Sequence, residues 1–268
     1  MLNALKNCFL GDLPEFSKDP LGFVERIAAG QKKPVVFQLG GRCTTLISRP
    51  SGIRHVLLDK RERYTKGAEQ KKMRSLMGEG LITSNGDRWQ DARNAMRTTF
   101  TAANLTKGLE LALATMMNEV ALLAGQTDRE IDLKPLLGRM TIRMAAAALF
   151  HERFDIRTSE MVYEACLVAH HRLTNSMMSL VDISMFFPTR EKREYQKAVS
   201  DIEGVIAELV RNPKGLLKDV LPLVGIYGAD VLRDESITML IAGFETTATA
   251  ACWLVYALAE NPHLADWI

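Results

Sequence analysis

Apolar and polar positions along the chain follow two different periods. Two short β-rich runs, Val35 to Leu39 and Thr44 to Ile47, flank Gly40-Gly41-Arg42, a pattern that predicts a hairpin. From Asp87 onward the spacing is helical, with segments expected over 87–100, 104–124, 134–151, 158–180, 189–211 and 234–260. Pro188, Asn212-Pro213 and Asn261-Pro262 punctuate them. Ahead of the hairpin, Asp19-Pro20 can cap and start a helix that leaves at Gly30, with proline at the tolerated first position. Pro50 opens a short helix to about Leu58, and the charged, glycine-containing stretch from Lys60 to Gly86 reads as mostly irregular. No internal repeat or low-complexity linker marks a boundary. The pattern predicts one mainly α domain over 1–268, α+β only through its small hairpin region.

One run departs from ordinary amphipathic spacing. From Ile237 to Ala259 the chain reads ITMLIAGFETTATAACWLVYALA, with Glu245 as its single charge and Thr246, Thr247 and Thr249 around it. A membrane span is one reading by length, but an acid and three hydroxyls near mid-bilayer are costly. A plain core helix is the second, because helices apolar all round are normally buried. The third is a buried helix whose polar centre does chemistry, and helical geometry favours it. At about 100° per residue, Ala242, Gly243, Thr246 and Ala250 form one strip of small residues, along which something large and flat can approach the backbone. Glu245 must then be paired, hydrogen-bonded or raised in pKa.

Composition narrows the partners. The 268 residues are 47% hydrophobic and 25% charged with net charge +2, a soluble globular balance with no nucleic-acid footprint. The N-terminus carries neither a convincing secretory signal nor a membrane anchor. Cys8, Cys43, Cys166 and Cys252 are scattered, as reduced thiols of a cytoplasmic protein are.

A second constellation lies in DRWQDARNAMRTTF. Trp89, Arg93, Met96, Arg97 and Phe100 share one helical stripe. Long arginine stems commonly pack on apolar surface with the guanidinium in water. The sharper reading is that Arg93 grips a carboxylate with its fork, with the Trp89 indole as a further donor.

Together the two constellations resemble the cytochromes P-450, the haem-thiolate monooxygenases. Ala242-Gly243-Phe244-Glu245-Thr246-Thr247 is similar to that family's oxygen-activating motif, and Trp89 with Arg93 to its propionate-binding helix. The hairpin, Tyr64-Thr65-Lys66-Gly67, Phe187-Pro188-Thr189-Arg190 and Asp234-Glu235 resemble the family as well, from about Asp19 to Ile268. The resemblance implies a mainly helical fold, haem b, and insertion of one oxygen atom from O₂ into an organic substrate. It assigns Trp89, Arg93 and Arg97 to the haem propionates, and Ala242 and Gly243 to the space above the iron. Thr246 would hydrogen-bond the bound oxygen and Glu245 would relay protons. Ile241, Phe244 and Thr247, with the methionine-rich Leu173–Phe187, would face a hydrophobic substrate such as a terpenoid or fatty acid. A ferredoxin or flavin reductase would deliver electrons near Arg88 and Lys71-Lys72.

The resemblance also exposes a gap. The family's axial cysteine follows a glycine by four residues in an F-x-x-G-x-x-x-C-x-G loop, and the residues four before the cysteines here are Ala4, Leu39, Val162 and Ala248. The family's later E-x-x-R motif reads as missing too, on the expectation that no glutamate here has arginine three residues on. No metal ligand is therefore assigned, and His55, His151, His170, His171 and His263 read as surface or satisfied histidines. The expectation is a truncated, by itself inactive enzyme, such as a pseudogene product. The alternative is a non-catalytic helical interaction protein or the N-terminal half of a split enzyme.

Overall fold

The computed structural model describes residues 10–124, 130–178 and 189–265. Cys8, Phe187-Pro188 and residues 179–187 of the methionine-rich stretch lie outside them. The chain forms two compact units, Met1–Thr65 and Lys66–Ile268.

In the first unit, helix α1 (Pro20–Ala28) is capped by Asp19, whose side chain accepts from the Gly22 N–H at 3.0 Å. Strands β1 (Val35–Leu39) and β2 (Arg42–Leu46) pair antiparallel, with Val35 opposite Leu46 and Leu39 opposite Arg42. The turn between them is Gly40-Gly41, with φ of 55° and 76°. A two-residue hairpin turn that matches strand twist needs positive φ at both positions, which glycine supplies without strain. Phe23 is buried, with Phe16 edge-on at 5.8 Å and Phe37 tilted at 5.4 Å. The helix begun at Pro50 runs to Arg54 and widens into a π-turn over His55–Asp59.

The stretch from Lys60 to Gly86 is more regular than expected. It holds a 3₁₀ turn, Arg61–Arg63, and short helices Ala68–Lys72 and Arg74–Met77. Helices of four or five residues have little intrinsic stability. Arg74–Met77 is held by burial of Leu76 and Met77 in the core, a tertiary effect with no local signature.

Among the described residues, six long helices build the second unit: α2 (Gly86–Met96), α3 (Ala102–Ala124), α4 (Leu133–Phe150), α5 (Ile156–Met178), α6 (Arg190–Arg211) and α7 (Asp230–Glu260). Each corresponds to a predicted segment, with shifted ends. α2 stops at Met96 rather than Phe100, because Thr98 and Thr101 donate their hydroxyls to the carbonyls of Ala95 and Thr98 and break the ladder. α7 starts before Asp234, after Gly228 turns the chain at φ 80°. Asp132 caps α4 and Thr189 caps α6, and His151 ends α4 in the left-handed conformation.

The core lies where α4 meets α3, α5 and α7 and where α6 covers α5 and α7. Ile142, Ala146, Phe150, Val162, Ile202, Ile206, Ile237 and Leu240 are fully or almost fully buried there. Among the described residues, α7 alone is long and apolar enough to cross a membrane, by length and composition only. Val231, Ile237, Leu240, Phe244 and Ala248 form its buried face. Among the described residues the fold is mainly α with one small two-stranded antiparallel sheet.

Two glycines in this unit test the packing in opposite directions. A Cβ on Gly138 would stand 2.2 Å from the buried Tyr163 ring, so Gly138→Ala is expected to destabilise by about 1–3 kcal/mol. Gly204, exposed within α6, has open space, and Gly204→Ala should add up to about 1 kcal/mol of stability. Urea denaturation midpoints of the two variants check both signs.

Candidate functional site

Helix α2 carries its functional face as a ladder. Trp89 lies one turn before Arg93, whose guanidinium sits 5.4 Å from the ring centroid, and Lys66 Nζ stands 5.7 Å from the same ring. Arg93 and Arg97 join Leu81, Met96 and Phe100 around a cavity of about 420 Å³. Both arginines are exposed, and no ion pair engages either among the described residues. Two uncompensated guanidiniums on one concave surface make a receptor for a bidentate anion. The structure thus brings Arg93, Arg97 and Phe100 together, with Trp89 beneath Arg93.

On α7 the polar centre splits between two faces. Ala242, Thr246, Thr247, Thr249 and Ala250 are exposed. Thr246 donates its hydroxyl to the Ala242 carbonyl at 3.0 Å and Thr247 to that of Gly243 at 2.9 Å, which leaves oxygen lone pairs facing outward. Gly243 departs from the expected strip. A Cβ there would lie 3.3 Å from Ala145 Cβ and 3.6 Å from Leu149 Cδ1, so α4 occupies the room its missing side chain leaves. Phe244 also departs from its expected place, since it is buried in the core on the side of α7 away from Ala242 and Thr246. A step of one or two residues rotates a helical side chain by about 100–200°, so adjacency in the motif is not adjacency in space. Ile241 packs half-buried against the same core.

Glu245 has a partner that the sequence did not single out. His170 Nδ1 on α5 lies 2.8 Å from Glu245 Oε1, both side chains about half exposed. The pair borders a cavity of about 330 Å³ with Tyr163, Cys166, Phe244 and Cys252. Burial, with a smaller contribution from Glu245, pushes the Cys166 thiol up to about 12, so it stays neutral and a poor ligand. A larger cavity of about 640 Å³, between the start of α5 and the end of α6, shares no residue with either face and contains the Lys214–Glu152 ion pair. Near it, Glu208 and Arg211 do make an E-x-x-R spacing, paired at 2.5 Å. Both are exposed and precede α7, so this is an i,i+3 surface pair.

The most perturbed acid lies elsewhere. Asp234 accepts from the Glu79 N–H at 2.8 Å, from Arg88 at 3.2 Å and from Arg233 at 2.8 Å. Arg88 is therefore engaged in this network, together with Glu79. Lys72 donates to the Ser176 carbonyl at 2.6 Å, which leaves Lys71 as the exposed member of that pair of lysines. Glu235 is fully buried; its Oε2 accepts from the Leu81 N–H at 2.9 Å, and Oε1 has no protein partner among the described residues. Burial pushes its carboxyl up to about 7, opposed by the Leu81 hydrogen bond. In sequence the signal was an acid pair after Arg233 at a helix start, which reads as ordinary macrodipole compensation.

The folded state holds the Glu235 proton more tightly than the unfolded chain, whose glutamates titrate near about 4.3. Its contribution to stability is therefore complete below that value and declines as pH rises to about 7. The loss amounts to at most about 4 kcal/mol at 1.36 kcal/mol per pKa unit. Urea midpoints between pH 4.5 and 8 should fall more steeply for the parent than for Glu235→Gln; parallel profiles would refute this assignment.

The cytochrome P450 family model matches residues 6–221 and 227–268. Cytochrome P450 97B2, chloroplastic, of Glycine max is 28% identical over 261 residues, 83% of this chain and 45% of that protein. Cyclooctat-9-en-7-ol 5-monooxygenase of Streptomyces melanosporofaciens is 24% identical over 268 residues, 95% of this chain and 57% of that protein. The chain spans about half the length of the curated relatives it matches. With helices, hairpin and the α2 and α7 faces as described, the chain belongs to the cytochrome P450 family.

Proposed function

We propose that this chain carries the propionate-binding and oxygen-facing part of a haem b monooxygenase centre that inserts one oxygen atom from O₂ into a hydrophobic organic substrate. The observation that carries the reading is the pair of guanidiniums, Arg93 and Arg97, without an ion pair among the described residues, at one cavity beside Trp89. Their fork geometry suits the two propionates of a haem, so the residues present fit the group. Bound there, the haem would supply the oxygen-activating redox chemistry.

The chain's own residues do the rest. Arg93 and Arg97 would neutralise the propionates, and Trp89 backs Arg93 with its ring. Ala242 keeps the exposed face of α7 low, and the Thr246 oxygen presents lone pairs to whatever lies on that face. Glu245 Oε1 and His170 Nδ1 stand 2.8 Å apart at a point half open to water, a separation across which a proton can pass. None of the four cysteines stands in the axial-ligand loop, so these 268 residues supply no thiolate to the iron. We infer that alone they are inactive.

A relative named for oxidation of cyclooctat-9-en-7-ol supports a hydrophobic, terpenoid-type substrate. A ferredoxin or flavin reductase would be the electron donor, in the cytoplasm. The second reading, a piece that needs a complementing partner, is favoured by the exposed apolar run Trp253 to Tyr256.

Haem titration of the purified chain tests the proposal. Charge-assisted hydrogen bonds contribute about 1.5–3 kcal/mol each, so Arg93→Ala should weaken haem binding about 10- to 100-fold. It should leave the affinity for haem dimethyl ester, which lacks the propionate charges, nearly unchanged. Carbon monoxide should elicit no thiolate-type difference spectrum. Equal haem affinity of parent and variant would overturn the reading.

A further inference from the structure

Leu81 forms one wall of the cavity that holds Arg93 and Arg97, and its backbone is gripped from two sides. Its N–H donates to Glu235 Oε2 at 2.9 Å, and its carbonyl accepts from Lys66 Nζ. Lys66 Nζ also donates to the Ser84 carbonyl at 2.8 Å while it stands over the Trp89 ring. The Lys66 N–H donates to Asn85 Oδ1 at 2.9 Å. The turn from Gly78 to Ser84 is otherwise tied down by Asp234 at the Glu79 N–H and by Thr83 Oγ1 at the Gly78 carbonyl. It lies so close to α7 that a Cβ on Gly80 would stand 2.1 Å from Thr238 Oγ1.

We propose that Lys66 and Glu235 are positioning residues for the anion cavity, a two-sided clamp that fixes the Leu81 wall and, through Lys66, the Trp89 ring under Arg93. The proposal rests on reading that cavity as the haem-propionate site. Its physical basis is the cost of the residues chosen. Burying an acid and partly burying an amine costs more than burying an amide or a thioether, so a turn that needed only fastening would be cheaper with neutral groups. Ionisable groups at both ends make the clamp respond to protonation.

Four elements face Glu235: Asp234 on its own helix, Arg88 from α2, Lys66 from the segment before α2, and the Leu81 N–H from the turn. Thr238 Oγ1 and Ser84 Oγ, both buried, have no hydrogen-bond partner among the described residues, so neither hydroxyl fixes Glu235 in one state. Above about pH 7 the carboxylate accepts a charge-assisted bond from Leu81 and attracts Lys66. Below it, the neutral acid holds the same N–H more weakly. Burial lowers the Lys66 pKa and Glu235 opposes that shift, so the two charges support each other. The clamp is therefore tightest in the pH range where Glu235 costs the fold most.

Hydrogen exchange on the full chain, corrected for intrinsic rates, reads the clamp without any haem. The protection factor of the Leu81 amide should rise about tenfold between pH 5.5 and 8.5. Glu235→Gln, which keeps an acceptor, should leave the amide protected and its protection independent of pH. Lys66→Met should speed exchange across 81–85 and shift the Trp89 emission, isolated as the difference from a Trp89→Phe variant. It should also weaken haem binding three- to tenfold. The same pH dependence in Glu235→Gln, or unchanged exchange and emission in Lys66→Met, overturns the clamp. The two readings fail separately. If Arg93→Ala weakens haem and Lys66→Met does not, the clamp falls and the haem site stands. If Arg93→Ala has no effect on haem, the haem reading falls, while Leu81 protection still decides whether the clamp exists.

Discussion

Everything in the larger unit is arranged around one expensive act, the burial of Asp234 and Glu235 in the second turn of α7. A helix that places two carboxylates inside a protein must be met by donors, and those donors come from distant parts of the chain. Arg88 arrives from α2, Arg233 from α7 itself, and the N–H groups of Glu79 and Leu81 from the turn ahead of α2. The acids thereby fix where that turn lies against α7 and, with it, where α2 begins. The cationic face of α2 inherits its position from that bonding. Leu81 is the shared element, since it answers Glu235 on one side and lines the arginine cavity on the other.

The same helix separates tasks by face. The apolar side through Ile237, Leu240, Phe244 and Ala248 packs into the core, and the small and hydroxyl residues Ala242, Thr246 and Thr247 stay open. Glu245 sits between, close enough to α5 to meet His170 and still half open to solvent. This intermediate position solves the problem that the sequence poses for an acid in an apolar run. The carboxylate is paired across a helix interface at the edge of the core, while full burial falls on Glu235, ten residues earlier.

Long periodic helices were legible in the sequence because their spacing is a property of the chain alone. The hairpin was legible because Gly40-Gly41 is a local conformational requirement. Trp89, Arg93 and Arg97 could be grouped from a single helical wheel, and the structure gathers them around one cavity and ring. What escaped depends on more than one segment. The short helix Arg74–Met77 exists because the core accepts Leu76 and Met77, and the His170 and Leu81 partnerships join residues 75 and more than 150 positions apart. Gly243 and Phe244 show the limit of motif reading, since consecutive letters of one motif point to different neighbours, one to α4 and one to the core near α5. Arg88 shows the same limit: a surface-type residue is drawn inward by an acid far along the chain.

Cys166 gives the α5–α7 interface a built-in clock. Its thiol is buried between the helices and held neutral by its surroundings, so alkylating reagents meet neither an accessible nor a nucleophilic sulfur while the interface is closed. Any modification must wait for α5 to lift from α7, and its rate then measures how often the wall behind Glu245 opens.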